Sequence, residues 1–359
     1  MMDNNFSLAR ACEPFFRIGA AVSPRVLRER GDLIRQHFNS LTAENEMKYD
    51  RIEPEEGHFR FEQADEIVAF ARGMGIKIRA HAPVWHNQTP AWMYRDGDRP
   101  APPEMIYERI DRHTKAICER YGGDVYCWDV VNEATRDGAP GPGEDPVYRD
   151  SDYFRLCGPA FIEAAFRSMD RYAPDAQLFY NDYSECVPEK RERIVSLIRD
   201  LKEKGCRVDG VGMQQHHFAP PDYDEIKRSI EIYASMGLRI HVTELDISMM
   251  AVLNTGAVRL RPGDDGFEEY IREAARADEG TLSRIGDIYV RLFGIYRSYA
   301  GVIDCVTTWG VSDDRTWLDH FGVSRGMPFV KQHPLLFDES GQPKPFLRRL
   351  TGNADRPEK

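Results

Sequence analysis

The chain alternates eight short apolar runs with longer segments of helical periodicity, and this alternation is the strongest constraint on its fold. In the segment 188–205, for example, Ile194, Ile198 and Leu201 fall on one face of a helix. Short apolar runs suit buried strands, whereas helices are usually longer. The spacing therefore predicts eight units in which a helix follows a strand, with strands at Arg17–Val22, Phe38–Ala43, Ile76–Ala82, Val125–Val131, Ala176–Tyr180, Val208–Met213, Leu238–Thr243 and Val302–Thr307.

Eight consecutive strand–helix units favour an α/β fold that is a single (β/α)8 barrel, the TIM-barrel architecture. Strands that pack inside a barrel and are covered outside by helices must be apolar on both faces, as these runs are. A doubly wound open sheet is the alternative, but no GxGxxG or GxxxxGKS/T loop follows any strand. Because no low-complexity tract or Pro/Ser linker divides the chain, we predict one domain over residues 1–359.

Charge and cysteine usage restrict the partners and the compartment. A formal net charge of −11, without Lys/Arg runs interleaved with aromatics, argues against nucleic acid. The chain has no stretch of about 18 apolar residues that would span a membrane, and no signal-peptide pattern at its N-terminus. Its seven cysteines form an odd set without CxxC spacing, which indicates neither a disulfide framework nor zinc. We expect a cytoplasmic protein; a secreted protein whose signal peptide was replaced by a start Met is the alternative. Homo-oligomerisation is left open.

Polar and aromatic clusters follow seven of the eight predicted strands. The strand ends of a (β/α)8 barrel meet at one face, where catalytic groups lie, so these clusters are expected to line one pocket. Their tryptophans, amides and carboxylates suit a neutral sugar, which offers CH faces for stacking and hydroxyls for hydrogen bonds. The clusters are TAENEMK (42–48), HAPVWHNQTPAW (81–92), WDVVNEA (128–134), YNDYS (180–184), MQQHH (213–217), TELDIS (243–248) and TWGVSDDRTWL (308–318).

Glu133 and Glu244 are the candidate catalytic residues, because each lies at the end of an apolar strand, Glu133 after Asn132 and Glu244 at the end of IHVTE. Cleavage of a glycosidic bond needs one carboxylic acid to protonate the leaving oxygen and a second carboxylate across the ring. An ionised Glu244 nearby would favour the protonated form of Glu133, which could then act as acid and later as base. The sequence leaves open whether the carboxyl groups are roughly 5–5.5 Å apart, as in retaining enzymes, or roughly 6.5–9.5 Å, as in inverting ones. Taken alone, a glutamate after a strand is more often a charge at the N-terminus of a helix than a catalytic residue.

The ordered motifs resemble glycoside hydrolase family 10, the barrel xylanases, from Gly19 to the PKP run at Pro343. This resemblance implies a retaining endo-β-1,4-xylanase or xylo-oligosaccharidase that acts on xylan or xylo-oligosaccharides and needs neither a metal nor a cofactor. If the protein stays in the cytoplasm, imported xylo-oligosaccharides are the expected substrate. Two departures from the family pattern concern the aglycone side: Pro83, where an aliphatic residue is expected, and the long charged loop from Met249 to Gly280.

The resemblance also implies a role for each site residue. Glu133 would be the acid/base and Glu244 the nucleophile. His216 and Asp246 would support Glu244 by hydrogen bonding, and Asn132 would bind the 2-hydroxyl of the cleaved sugar. The implied substrate-binding residues are Glu44, Asn45, Lys48, His81, Trp85, Gln88, Tyr183, Gln214, Trp309 and Trp317. Of these, Trp309 and Trp317 would stack on sugar rings.

Two other classes of function compete with an active glycosidase. A non-catalytic sugar-binding barrel would keep the tryptophans and amides, but both candidate glutamates are present. A metal-dependent sugar isomerase or hydrolase would need clustered histidines, and the chain has no HxH or HExxH spacing. Trp128 is assigned to the core, as is usual for a tryptophan inside a strand.

Overall fold

The computed structural model describes residues 6–253, 276–326 and 329–352, together with residues 267, 269 and 272. Eight parallel strands form a closed barrel, because the last strand pairs with both the first and the seventh. This closure confirms the (β/α)8 barrel and excludes the open sheet. The barrel strands are β1 Arg17–Val22, β2 Ser40–Ala43, β3 Lys77–Trp85, β4 Val125–Asn132, β5 Gln177–Asp182, β6 Gly210–Met213, β7 Arg239–Ile247 and β8 Ile303–Thr308.

Two strands run further than the sequence predicts. β3 continues past Ala82 to Trp85, because its pairing with β4 resumes after a register shift. β7 continues past Thr243 to Ile247 and so includes residues of the polar TELDIS cluster. The predicted end of β7 was wrong because its polar side chains form the wall of the pocket, whereas a strand is defined by backbone pairing. The other strand limits differ from prediction by two residues at most.

Five of the described α-helices begin at a Ser or Asp whose side chain accepts a backbone hydrogen bond from the first turn. Ser23, for example, accepts a hydrogen bond from Val26 N, and Pro24 occupies the first helical turn. Within the described residues, the α-helices with defined bounds are Leu8–Cys12, Pro24–His37, Tyr49–Ile52, Glu62–Met74, Pro103–Tyr121, Asp152–Cys157, Ala160–Tyr172, Pro188–Glu203, Tyr223–Ser235, Met249–Leu253, Glu279–Ser298 and Leu318–Phe321. Short 3-10 helices are Ala91–Tyr94, Val323–Arg325 and Leu347–Thr351, and two-residue strands are Arg95–Asp96, Arg99–Pro100 and His216–His217.

The last unit departs from the predicted pattern. Among the described residues, β8 is followed by a long loop, the four-residue helix Leu318–Phe321 and two 3-10 turns, and not by a long helix. The outer layer near this unit contains the N-terminal helix Leu8–Cys12, which packs against the turn Leu347–Thr351. Most of the charged loop between Met249 and Gly280 lies outside the described residues.

The core confirms the assignment of Trp128, whose side chain is 1% exposed. Cys127 and Cys305 are likewise fully buried in the strands. Within the part of the chain that the structure describes, no helix combines the length and the apolar character needed to cross a bilayer.

Candidate active site

Glu133 follows β4 directly, and its carboxyl group accepts hydrogen bonds from three side chains. Trp85 Nε1 donates to Oε2 over 2.9 Å. Gln214 Nε2 and Asn132 Nδ2 donate to Oε1 over 3.0 and 3.1 Å. The backbone of Glu133 has a φ of 56°, which is uncommon outside glycine, and the side chain is only 9% exposed. The carboxyl group is therefore held in one orientation at the mouth of the barrel.

Glu244 lies within β7 and is held from two other strand ends. Asn181 Nδ2 donates to its Oε1 over 2.7 Å, and His216 Nε2 lies 3.3 Å from its Oε2. The other ring nitrogen of His216 lies 2.9 Å from Asp246 Oδ1. Asp246 accepts a hydrogen bond from Trp317 Nε1 over 2.7 Å. His216 thus bridges two carboxylates, and Asp246 reaches Glu244 through that imidazole.

The surroundings shift the pKa values of the two glutamates in opposite directions. Burial raises the pKa of Glu133, and the charges of Asp182 and Glu244 act in the same direction. Burial would also raise the pKa of Glu244, but the hydrogen bond from His216 and the nearby imidazole charge lower it to about 2. Glu133 therefore keeps its proton to a higher pH than Glu244. A proton donor beside an ionised carboxylate is the combination that glycosidic cleavage needs.

Asn181 links the two glutamates, although nothing in the sequence distinguishes it from the rest of the polar cluster that ends β5. Its Nδ2 donates to Glu244 Oε1 and also to Asn132 Oδ1, over 2.7 and 2.9 Å. Asn132 in turn donates to Glu133. Gly212 on β6 leaves room for this amide, since a Cβ there would lie 2.1 Å from Asn181 Oδ1. One chain of hydrogen bonds therefore fixes both carboxyl groups.

Lys48, Asn45, Gln88 and Trp85 form a cluster that shares Trp85 with the Glu133 site. Lys48 Nζ donates to Asn45 Oδ1 over 3.1 Å and to Gln88 Oε1 over 3.0 Å. It also lies 4.7 Å from the centre of the Trp85 ring. Lys48 is buried, which lowers its pKa, although three nearby glutamates oppose the shift. The cluster thus presents amide and ammonium groups of the kind that hydrogen-bond to sugar hydroxyls.

Glu44 and two tryptophans line a cavity of about 390 Å³ where β1, β2 and β8 end. The tryptophans are Trp309 and Trp317. Burial raises the pKa of Glu44. The ring of Trp309 meets His81 edge-on, with 5.3 Å between ring centres. The structure therefore brings the predicted stacking residues and Glu44 to one side of the site.

His81 is held by a buried pair of charges that the sequence does not single out. Its Nδ1 lies 3.0 Å from Asp129 Oδ2, and Asp129 also pairs with Arg79. All three side chains are almost completely buried. Because Arg79 and Asp129 come from the interior of β3 and β4, they look like ordinary strand residues in the sequence.

Tyr183 contacts two residues of the loop that follows β4. Its hydroxyl contacts Asp137 and accepts a hydrogen bond from Arg149 over 2.8 Å. Arg149 Nε also donates to the backbone oxygen of Glu133 over 3.0 Å. Tyr183 is thus connected to Glu133 through Arg149, outside the hydrogen bonds that surround the two carboxyl groups.

The histidines of the site either face carboxylates or have a lowered pKa. His81 faces Asp129, and His216 faces two acidic residues. Burial lowers the pKa of His86 to about 4 and that of His217 to about 3. Among the described residues, no three His, Cys, Asp or Glu side chains are grouped so as to hold a metal ion.

Replacing His216 with alanine should move the acidic limb of the pH–rate profile to higher pH. Burial disfavours its charge, but Asp246 and Glu244 raise the pKa of His216 to about 10, so it is a cation near neutral pH. Without it, the pKa of Glu244 rises and the nucleophile is lost at a higher pH. Losing one charged hydrogen bond should lower turnover about 10- to 100-fold.

The measurement is turnover against pH for the wild type, His216→Ala and the control His217→Ala. Burial lowers the pKa of His217, so this ring is neutral and supplies no charge to either glutamate. An acidic limb that stays in place in His216→Ala would contradict this role of His216.

Comparison with known proteins identifies the family. The sequence model of glycosyl hydrolase family 10 matches residues 7–352. The chain is 42% identical over 348 residues to endo-1,4-beta-xylanase B of Paenibacillus barcinonensis, covering 96% of this chain and 98% of that protein. It is 41% identical over 337 residues to an endo-1,4-beta-xylanase of Geobacillus stearothermophilus, covering 93% and 94% of the two chains. A solved mutant structure in complex with xylotriose is 39% identical, with a TM-score of 0.84 and coverage of 96% and 99%. The chain therefore belongs to glycosyl hydrolase family 10.

Proposed function

We propose that the chain is a retaining endo-β-1,4-xylanase in which Glu133 is the acid/base and Glu244 the nucleophile. The observation that carries this proposal is the pair of carboxyl groups on one hydrogen-bond chain, with pKa values shifted in opposite directions. A protonated glutamate next to an ionised one supplies the two groups that a double displacement uses. The enzyme class is that of its relatives, which are glycoside hydrolases.

In the first half-reaction, the Glu244 carboxylate attacks the anomeric carbon and forms a glycosyl ester. Glu133 gives its proton to the leaving glycosidic oxygen as the bond to the anomeric carbon breaks. Once Glu244 is esterified it carries no charge, so the pKa of Glu133 falls. In the second half-reaction, Glu133 takes a proton from water, the water oxygen bonds to the anomeric carbon, and Glu244 is released.

The proposed substrate is β-1,4-linked xylose in xylan or xylo-oligosaccharides. Its support is twofold: the relatives named above are endo-1,4-beta-xylanases, and one related structure holds xylotriose. The cluster of Lys48, Asn45 and Gln88 offers hydrogen bonds to the hydroxyls of the glycone sugars, with Glu44 and His81 completing that side. A non-catalytic barrel would have no use for a chain of hydrogen bonds that holds two glutamates, so this alternative is less favoured.

We also propose that residues 1–359 form a single catalytic domain and that the protein works in a reducing compartment. One apolar core contains residues from Leu8 to Leu350, which supports a single domain. All seven cysteines are free thiols, and Cys186 is the least buried of them. In a cytoplasm, the substrate would be imported xylo-oligosaccharides rather than the polymer.

Proton NMR of the first product released from xylohexaose should detect the β-anomer before mutarotation. Two displacements at the anomeric carbon restore its starting configuration, so retention is the direct consequence of a glycosyl ester on Glu244. The same assay with EDTA should give full activity. An α-anomer as the first product would contradict the double displacement, and loss of activity in chelator would favour a metal-dependent enzyme.

A further inference from the structure

Gln215 is a buried residue in the polar cluster that follows β6. It lies between Gln214 and His216, which contact the catalytic glutamates. Gln214 donates to Glu133, and His216 contacts Glu244. Gln215 itself is 4% exposed and has a φ of 58°. β6 pairs with β7 up to its last residue, and pairing resumes only at His216. The left-handed backbone at Gln215 thus makes a turn between the two stretches that pair with β7.

Two buried groups hold the side-chain amide of Gln215. Tyr296, from the helix Glu279–Ser298, donates to Oε1 over 2.9 Å. Gln215 Nε2 donates to the Glu185 carboxyl group and lies 3.2 Å from Cys186 Sγ. Tyr296 and Glu185 are almost completely buried. Both ends of the amide therefore have partners in a region without water access, where such a network fixes a conformation.

We propose that Gln215 is a positioning residue whose anchoring by Glu185 and Tyr296 fixes the turn that carries both contacts to the catalytic pair. A left-handed backbone at a residue other than glycine persists only where its surroundings hold it. If the anchor is lost, the turn relaxes and the contacts of Gln214 and His216 are displaced together. The kinetic part of this inference rests on the proposed function; the placement of His216 does not.

The groups around Glu185 determine which substitutions test the anchor. Burial raises the pKa of Glu185 to about 7, while its hydrogen bond from Gln215 acts in the other direction. Glu185→Gln removes this titration but keeps an oxygen that accepts from Gln215, so it is the conservative variant. The titratable and charged groups that face this region are Asp182, Cys186, Arg191, Tyr233 and Tyr296.

The kinetic experiment compares Gln215→Ala and Tyr296→Phe with the control Tyr233→Phe. Tyr233 is equally buried, but its hydroxyl donates to the backbone oxygen of Glu185 over 3.0 Å and not to the Gln215 amide. We expect the two test variants to lose about 10- to 100-fold in kcat, with KM changed less than about twofold. Both limbs of the pH–rate profile should move to higher pH. Gln214 and His216 each lower the pKa of the glutamate they contact, and the variants displace these contacts. Tyr233→Phe and Glu185→Gln should keep both limbs.

A second measurement is independent of activity. NMR of 15N-histidine-labelled protein should show a lower pKa for His216 in Gln215→Ala than the value of about 10 in the wild type, where Asp246 and Glu244 raise it against burial. An unchanged His216 together with unchanged pH limbs in both test variants would overturn the proposal, as would equal shifts in Tyr233→Phe. A wild type that is inactive on xylo-oligosaccharides, but whose His216 responds to Gln215→Ala, would refute the function and leave the positioning role standing.

Discussion

Glu244→Ala should lower turnover of xylo-oligosaccharides by roughly 10⁵-fold, because no glycosyl ester can form without the attacking carboxylate. The loss should be similar for substrates with good and poor leaving groups, since both need the same nucleophile. The measurement is kcat/KM for xylohexaose and for an aryl β-xylobioside. The variant is expected to keep its fold, because the strand β7 is held by backbone pairing on both sides.

Two variants separate chemistry from folding in this experiment. Glu244→Gln keeps the size of the side chain and should be about as inactive as the alanine variant. Glu66→Ala removes an exposed glutamate from the helix Glu62–Met74 and should be fully active. Thermal unfolding checks that all three remain folded. Activity of Glu244→Gln within about tenfold of the wild type would exclude Glu244 as the nucleophile.

Glu133→Ala should separate the two half-reactions. Substrates with poor leaving groups should lose about 10²- to 10⁴-fold, because their oxygen needs a proton as the bond breaks. An acidic phenol leaves as phenolate without needing that proton. Aryl glycosides with such phenols should therefore still form the glycosyl ester on Glu244. Breakdown of the ester should then be slow, since no base activates the water. A burst of phenol followed by a slow steady state is the expected signal.

Azide provides the control for this variant, because it is a nucleophile that needs no general base. It should restore the steady-state rate of Glu133→Ala and give a β-glycosyl azide, while the wild type should not respond. Equal losses for all leaving groups, without any response to azide, would contradict the acid/base role of Glu133. Such a result would not affect the assignment of Glu244 as the nucleophile.

The strands could be predicted where polarity and backbone pairing change at the same residue. β1 begins and ends where its apolar run does, at Arg17 and Val22. β7 does not, because Glu244 and Asp246 are polar side chains on paired backbone. Apolar periodicity reports which side chains avoid water. It therefore underestimates strands whose ends form the wall of a polar pocket.

The site could be predicted as far as it depends on strand ends. Glu133 and Glu244 stand out because each lies at the end of an apolar run. The links between them do not stand out, since Asn181 acquires its role from contacts with β4 and β7. Gln215 depends on Tyr296, a residue about eighty positions away on the helix Glu279–Ser298. Contacts of this kind follow from the closure of the barrel, which no local pattern encodes.

The left-handed backbone at Glu133 sets a limit on how this protein can be made more heat-resistant. Glycine suits that conformation best, so the residue that the backbone favours and the residue that the chemistry requires are different. A selection that rewards thermal resistance alone would favour loss of the carboxyl group at this position. Stabilising changes that spare turnover are therefore to be sought in the outer helices, where backbone preference and function do not compete.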